Sequence, residues 1–231
     1  MRQLPKTPAL ESPGNRRGVC LTAVIPVFPV PVPAPASVAA APTSAPLLLA
    51  RLLAQVPGLN PADTARIARC WAAPLALKRH AYLVRPGEVE QRLALVTSGL
   101  LRIYYATPAG EEICVGFGHP ATLLCSFPSF VSGEPSEYAV QALRGSTLLT
   151  IGRAEFRGLL DEVPALGRHW RHELEKALVG RMTHEIDLLL PEPAQRLARL
   201  RQRAPHLFQL VPRKYLASYL RMAPETLSRL G

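Results

Sequence analysis

Val211-Pro212-Arg213-Lys214-Tyr215-Leu216-Ala217-Ser218-Tyr219-Leu220-Arg221-Met222-Ala223-Pro224-Glu225-Thr226-Leu227-Ser228-Arg229-Leu230 has the layout of two short helices around a tight joint. Leu216, Ala217 and Leu220 supply an apolar face for the first helix, and Arg221 to Ala223 form the joint. Pro224 stands where a second helix can begin without its N–H. That second helix would present Glu225, Thr226, Ser228 and Arg229 outward. In a DNA major groove a carboxylate accepts from cytosine N4, and an arginine donates twice to guanine O6 and N7. The stretch therefore reads as a helix-turn-helix with Glu225, Thr226 and Arg229 facing bases and Arg213 and Lys214 placed to meet phosphates, while Arg221, Pro224 and Ser228 complete the expected DNA-binding set.

Charge supports this reading independently of the pattern. The chain carries a net charge of +10, and residues 192–231 hold eight Arg or Lys against two Glu. Residues 47–191 are nearly balanced, with fifteen positive and fourteen negative side chains. A basic patch at one end collects phosphates by releasing counterions, with affinity that is salt-sensitive and largely independent of sequence. A solvated arginine-rich helical face is the plainer reading of the charge alone.

The 231 residues, 48% of them hydrophobic, allow one or two domains with a real core. No run of about eighteen apolar residues suggests a membrane-spanning helix. Cys20, Cys70, Cys114 and Cys125 are far apart and include no C-x-x-C pair, which argues against a zinc or iron–sulfur ligand set and against a disulfide framework. A reducing cytoplasm is the expected location. Residues 1–46 contain ten prolines, with Ile25-Pro26-Val27-Phe28-Pro29-Val30-Pro31-Val32-Pro33-Ala34-Pro35 at their centre. Proline at nearly every second position forbids a regular helix, so a disordered or polyproline-like extension is expected there. Arg16-Arg17 ahead of apolar residues mimics an export signal poorly, because prolines break the apolar region.

Beyond that extension, Leu47–Gln55 and Pro61–Trp71 read as helices, the second capped by Asn60. Strand-like runs follow at Leu75–Lys78, Ala81–Val84, Leu93–Thr97, Leu100–Tyr105, Glu112–Gly116, Tyr138–Ala142 and Ser146–Ile151, separated by turn residues. Such close-spaced strands predict a barrel or sandwich. Glu155–Asp161 then reads as a short helix and Pro164 to about Leu190 as a long one. The long helix carries Leu166, Trp170, Leu174, Leu178, Met182, Ile186 and Leu189, a stripe expected to pair with a second copy of the chain. Packing of that helix against its own strands is the alternative. Pro191 and Pro193 mark a hinge into the basic segment.

This order of elements resembles the Crp-Fnr family of transcription regulators, from about Leu47 onward. Leu95-Val96-Thr97-Ser98-Gly99-Leu100-Leu101-Arg102-Ile103-Tyr104-Tyr105 looks like the family's strand, Ser-Gly turn and strand. Pro224-Glu225-Thr226-Leu227-Ser228-Arg229 looks like its recognition helix, in which the cyclic-AMP receptor branch has Arg-Glu-Thr-x-x-Arg. Pro224 stands in place of the first Arg, so one guanine contact should be missing. The resemblance implies an α+β fold: a cupin-like β-roll of the cyclic-nucleotide-binding-domain type, a long dimerisation helix, and a C-terminal helix-turn-helix lacking its wing. The expected division is an extension over 1–46, a β-roll effector domain over 47–162, a dimerisation helix over 163–191 and a DNA-binding segment, apparently truncated, over 192–231. Implied partners are double-stranded DNA, a second copy of the chain, RNA polymerase and an unidentified small-molecule effector, with no membrane and no cofactor.

The resemblance also places a ligand cassette. Family members that bind cyclic nucleotides use a Gly-Glu-Leu stretch for the ribose and an Arg-Ser or Arg-Thr pair for the cyclic phosphate. The matching positions here are Cys125-Ser126-Phe127 and Ser136-Glu137, with a serine for the clamp arginine and a carboxylate near the anion. Neither cyclic AMP nor cyclic GMP is expected to bind. Cys125 and Cys114 near this cassette read as buried apolar fillers rather than redox sensors, because no Lys or Arg adjoins them in sequence to lower a thiol pKa. His169 and His172 have metal-compatible spacing but read as ordinary helix residues, and the chain lacks the His-x-His of a cupin metal site. An enzyme is the least supported class. The competing functional reading, prompted by the short segment after Pro224, is a sensory or interaction module of the same fold without specific DNA binding.

Overall fold

The computed structural model describes residues 45–231. The expected extension therefore lies outside the described residues except for Ala45 and Pro46. These two belong instead to the first turn of helix α1 (Ala45–Leu53), where a proline needs no hydrogen-bonded N–H. Helix α2 (Pro61–Arg69) starts at Asn60, whose side chain accepts from the Asp63 N–H at 2.8 Å.

Eight strands follow: β1 (Leu75–Leu77), β2 (Tyr82–Val84), β3 (Arg92–Ser98), β4 (Leu101–Ala106), β5 (Glu112–Gly118), β6 (Leu123–Leu124), β7 (Tyr138–Ala142) and β8 (Ser146–Gly152), with helix α3 (Phe127–Ser132) between β6 and β7. They form two antiparallel four-stranded sheets, ordered β1-β8-β3-β6 and β2-β7-β4-β5. The fold is α+β, with an antiparallel roll as expected. Sequence patterning missed β6 and α3, which are too short to show a period.

The two sheets face each other through Ala94, Val96 and Leu148 on one side and Leu101, Ile103 and Val140 on the other. Both sheets are also covered on their outer faces. Leu93, Leu95, Leu149 and Ile151 pack under α1 and the helices that follow the roll, and Leu100, Tyr104, Cys114 and Phe117 pack under the C-terminal helices. This double burial explains why Leu93 to Val96 is an unbroken apolar run rather than an alternating one.

The Ser98–Gly99 turn carries the chain from one sheet to the other. Gly99 has φ +96°, and a Cβ there would lie 2.5 Å from the Ser146 Cα. Ser146 Oγ accepts from the Leu100 N–H at 3.1 Å, so the turn is fixed where the two sheets join.

After the roll come α4 (Arg153–Glu162), α5 (Pro164–Leu189), α6 (Pro193–Arg203), α7 (Leu207–Leu210), α8 (Arg213–Tyr219) and α9 (Pro224–Leu230). The apolar stripe expected along α5 divides into two faces. A spacing of four advances about 40° beyond a full turn at each step, so the series winds around the helix. Leu166 is buried, and Trp170 packs edge-on against Phe156 of α4 with ring centroids 5.0 Å apart. Leu174 also turns toward the roll. Leu178, Met182, Ile186 and Leu189 are exposed, and Val179, which the stripe omitted, is 65% exposed. Val179, Met182, Ile186 and Leu189 repeat at three, four and three residues, the a/d spacing of a coiled-coil seam.

The turn at Gly99 gives a stability prediction. Gly99→Ala combines a left-handed backbone with a backbone clash and should cost at least about 2 kcal/mol. Gly110→Ala has φ +83° but open space around its Cβ, and should cost about 1 kcal/mol. Urea unfolding of both variants checks the difference.

Candidate nucleic-acid interface

Helices α8 and α9 are joined by a tight turn over the segment in which the sequence suggests a helix-turn-helix. At the joint Arg221 takes φ +53°, a left-handed conformation that costs energy for a side chain with a Cβ. It is held by Met222 N–H donating to the Ala217 carbonyl at 3.0 Å and by the Arg196 guanidinium donating to the Arg221 carbonyl at 3.3 Å. Pro224 opens α9 after an extended Ala223, and Leu227 turns inward, 4% exposed. Glu225 lies in the first turn, where a carboxylate complements the helix dipole.

Burial of Leu227 fixes which face is free. Pro224, Glu225, Ser228 and Arg229 are exposed, and Thr226 is half-buried beside them. Arg213, Lys214 and Arg221 are exposed at the start and end of α8. Arg213 also donates to the Gly231 carbonyl at 2.9 Å, and the Lys214 ammonium lies 4.6 Å from the Tyr215 ring centroid. All eight residues thus lie on the two helices and the joint, seven of them exposed.

The segment is fixed to the rest of the chain in two places. Ser218 Oγ of α8 accepts from the Cys114 N–H of β5 at 2.9 Å, and Tyr219 packs against Phe117 with centroids 5.5 Å apart. Arg102 of β4, 6% exposed, lies between the Tyr104 and Tyr215 rings, bonds to Gln141 and pairs with Glu112 at 2.7 Å. On the other side, Asp187 of α5 is fully buried, and its carboxylate pairs with both Arg199 and Arg203 of α6. His184, one turn earlier, stacks flat on Tyr219 with centroids 4.1 Å apart. Burial, with Arg181 and Arg203 nearby, lowers the His184 pKa to about 4 although Asp187 opposes the shift. Sequence reasoning missed this cluster. Its available signal was the spacing of Ala177, His184 and Asp187 on one face of a helix.

The ligand cassette is closed by its own side chains. Ser126 and Ser136, brought together from the two halves, share an Oγ···Oγ hydrogen bond of 2.6 Å, and Ser136 Oγ donates to the Tyr138 carbonyl at 2.7 Å. Both serines are buried, whereas Glu137 is exposed. Phe127 opens α3 and is half-buried. Glu90, which sequence reasoning did not single out, is 2% exposed and accepts from the Ser126 N–H at 3.2 Å and the Arg92 N–H at 3.1 Å. Desolvation raises its pKa. The Ser126 backbone N–H is therefore already taken by a carboxyl group. Burial also pushes the Cys125 thiol well above its ordinary value, with the Glu90 charge adding to it, and burial raises Cys114 as well. Neither environment favours a reactive thiolate.

With this geometry, comparison with known proteins is informative. Residues 74–163 match the cyclic nucleotide-binding domain. The chain is similar in fold to FixK2 from Bradyrhizobium japonicum, at 17% identity and TM-score 0.57, covering 69% of this chain and 82% of that one. It is also similar to a mutant of CooA from Carboxydothermus hydrogenoformans, at 17% identity and TM-score 0.58, covering 77% and 85%. A third similar structure is CLP of Xanthomonas campestris, described as a c-di-GMP responsive global regulator, at 16% identity and TM-score 0.58, covering 74% and 89%. No curated protein matches the chain. The roll is thus that of the cyclic nucleotide-binding domain, and the alignment with these structures extends well beyond the matched 90 residues.

Two outcomes are expected. Calorimetry with near-millimolar cyclic AMP or cyclic GMP should give no saturable heat, because the clamp arginine is absent and Glu90 occupies the Ser126 N–H. His184 should make stability depend on pH. Its folded pKa of about 4 lies below the ordinary 6.5, so the unfolded chain binds more protons between those values and stability falls as pH drops through that window. The loss is on the order of 3 kcal/mol. His184→Phe, which keeps the stack on Tyr219, should flatten the pH 7 to pH 4 difference in urea unfolding.

Proposed function

We propose that the chain is a dimeric, sequence-specific DNA-binding transcription regulator of the Crp-Fnr type that does not respond to cyclic nucleotides. The observation that carries this reading is the exposed face of α9. Glu225, Ser228 and Arg229 remain free while Leu227 anchors the helix, the arrangement a groove-reading helix requires. Arg213, Lys214 and Arg221 flank that face and supply phosphate contacts. The basic residues of α6 extend the same positive end of the chain.

Dimerisation follows from the exposed seam of α5. Val179, Met182, Ile186 and Leu189 offer an apolar strip at coiled-coil spacing, and exposure of 82% at Leu189 is unusual for a leucine unless another surface covers it. Pairing of two such helices gives two readers related by a two-fold axis, hence two half-sites about one helical turn apart. The alternative, a sensory or interaction module without specific DNA binding, shares the dimer but predicts no preferred sequence. RNA polymerase is the partner a regulator of this type would engage, in the cytoplasm.

The deciding experiment is selection of bound genomic fragments by purified protein at about 150 mM salt, where non-specific binding is weakened. A two-fold symmetric site should be recovered. Arg229→Ala and Glu225→Ala should each relax specificity by about 1–3 kcal/mol per base pair. Lys214→Ala should weaken all sequences alike and flatten the salt slope by about one unit. Equal losses on specific and random DNA for Arg229→Ala, or absence of enrichment from folded dimer, would favour the sensory module.

A further inference from the structure

A cavity of about 130 Å³ lies outside the roll, between the outer face of β3, helix α1 and the first half of α5. Leu53, Leu95, Phe156, Leu166, Trp170 and Ala177 form its walls. It adjoins the expected cassette through Cys125, which lines it, but opens on the other side of β3. Leu95 faces the helices, whereas its neighbours Ala94 and Val96 face the roll interior. Protein interiors leave few voids larger than a water molecule, and a void with apolar walls gives water too few partners to settle there. A pocket of this kind takes apolar ligands.

The polar side chains of the lining define the rest of the ligand. Gln55 is exposed and His169 and Glu173, like Trp170, are half-buried, so these polar side chains of the lining sit where the cavity meets solvent, at its mouth. Glu173 accepts from the Lys176 ammonium at 2.8 Å. The mouth therefore offers hydrogen-bond partners but no lysine or arginine of its own for an anionic headgroup, and the nearby Lys176 ammonium is already held by Glu173. We propose that this cavity binds an uncharged, medium-chain aliphatic molecule, with its chain against Trp170 and Leu95 and a single hydroxyl or amide-like end at Gln55, His169 and Glu173. Because one wall is α5, occupancy would bear directly on the helix that carries the exposed seam. The inference concerns binding alone and does not depend on whether the chain reads DNA.

The test uses 1-octanol and its charged counterpart octanoate, with the full chain in a Trp71→Phe background that leaves Trp170 as the sole tryptophan. Octanol should change the Trp170 emission saturably with one molecule per chain, and octanoate should bind at least ten-fold more weakly. Glu173→Gln should narrow that difference several-fold. Ala177→Leu, which fills the cavity, should weaken octanol at least ten-fold. Leu166→Ala, which enlarges it, should shift the preference toward 1-decanol and keeps the test informative if the filled variant misfolds. No saturable change up to the solubility limit of octanol would overturn the proposal. So would equal binding of alcohol and carboxylate, or affinities unmoved by Ala177→Leu and Leu166→Ala in folded protein.

Discussion

Strand β4 is buried on both faces, and most of the molecule is arranged around that fact. Leu101 and Ile103 point into the roll, while Arg102 and Tyr104 point out toward the C-terminal helices. A strand in an antiparallel sheet ordinarily keeps one face in water. Here the second face of the sheet is covered by Leu216 and Ala217 of α8 and by Leu220 just after it, with α8 seated on the neighbouring strand β5 through Ser218.

Charges at this joint restrict it further. Arg102 lies between two tyrosine rings with Gln141 and Glu112 as polar partners, and Asp187 is buried with two arginines. A buried ion pair adds little net stability over apolar packing, but removing one partner strands the other charge and is costly. Such groups act as register marks. They define one orientation of α6 and α8 against α5 and the roll, whereas an entirely apolar contact would tolerate sliding. The flat stack of His184 on Tyr219 serves the same purpose, and its neutrality keeps a third positive charge away from Arg181 and Arg203.

At the expected cassette the polar groups are satisfied within the chain. Ser126 and Ser136 satisfy each other, and Glu90 takes the backbone donor beside them, so buried polar atoms are paired within the protein itself. The apolar cavity on the other side of β3 has the opposite character, with space but few polar groups.

How much of this was legible in the sequence depended on the range of the interaction. Local chemistry sufficed for Asn60 as a cap, Pro224 as a helix start, Gly99 at a turn and seven of the eight strands, because caps, prolines, turns and periodicity act within a few residues. The resemblance of short motifs singled out Ser126 and Ser136 without showing that they touch, which only the folded chain shows. The α5 stripe could not be divided by spacing alone. Leu166 and Trp170 pack on the roll and Ile186 and Leu189 face outward because each four-residue step rotates the side chain further around the helix, and the position of the roll decides where the facing surface ends. Glu90 beside Ser126, and Asp187 beside Arg199 and Arg203, were equally invisible, since residues up to 36 positions apart are brought together only by chain packing. The sequence by itself determined most of the elements, their order and the basic character of the C-terminal segment. Tertiary structure decided which faces are free, which charges are buried and where an open cavity remains, because burial is a property of neighbours that no local pattern encodes.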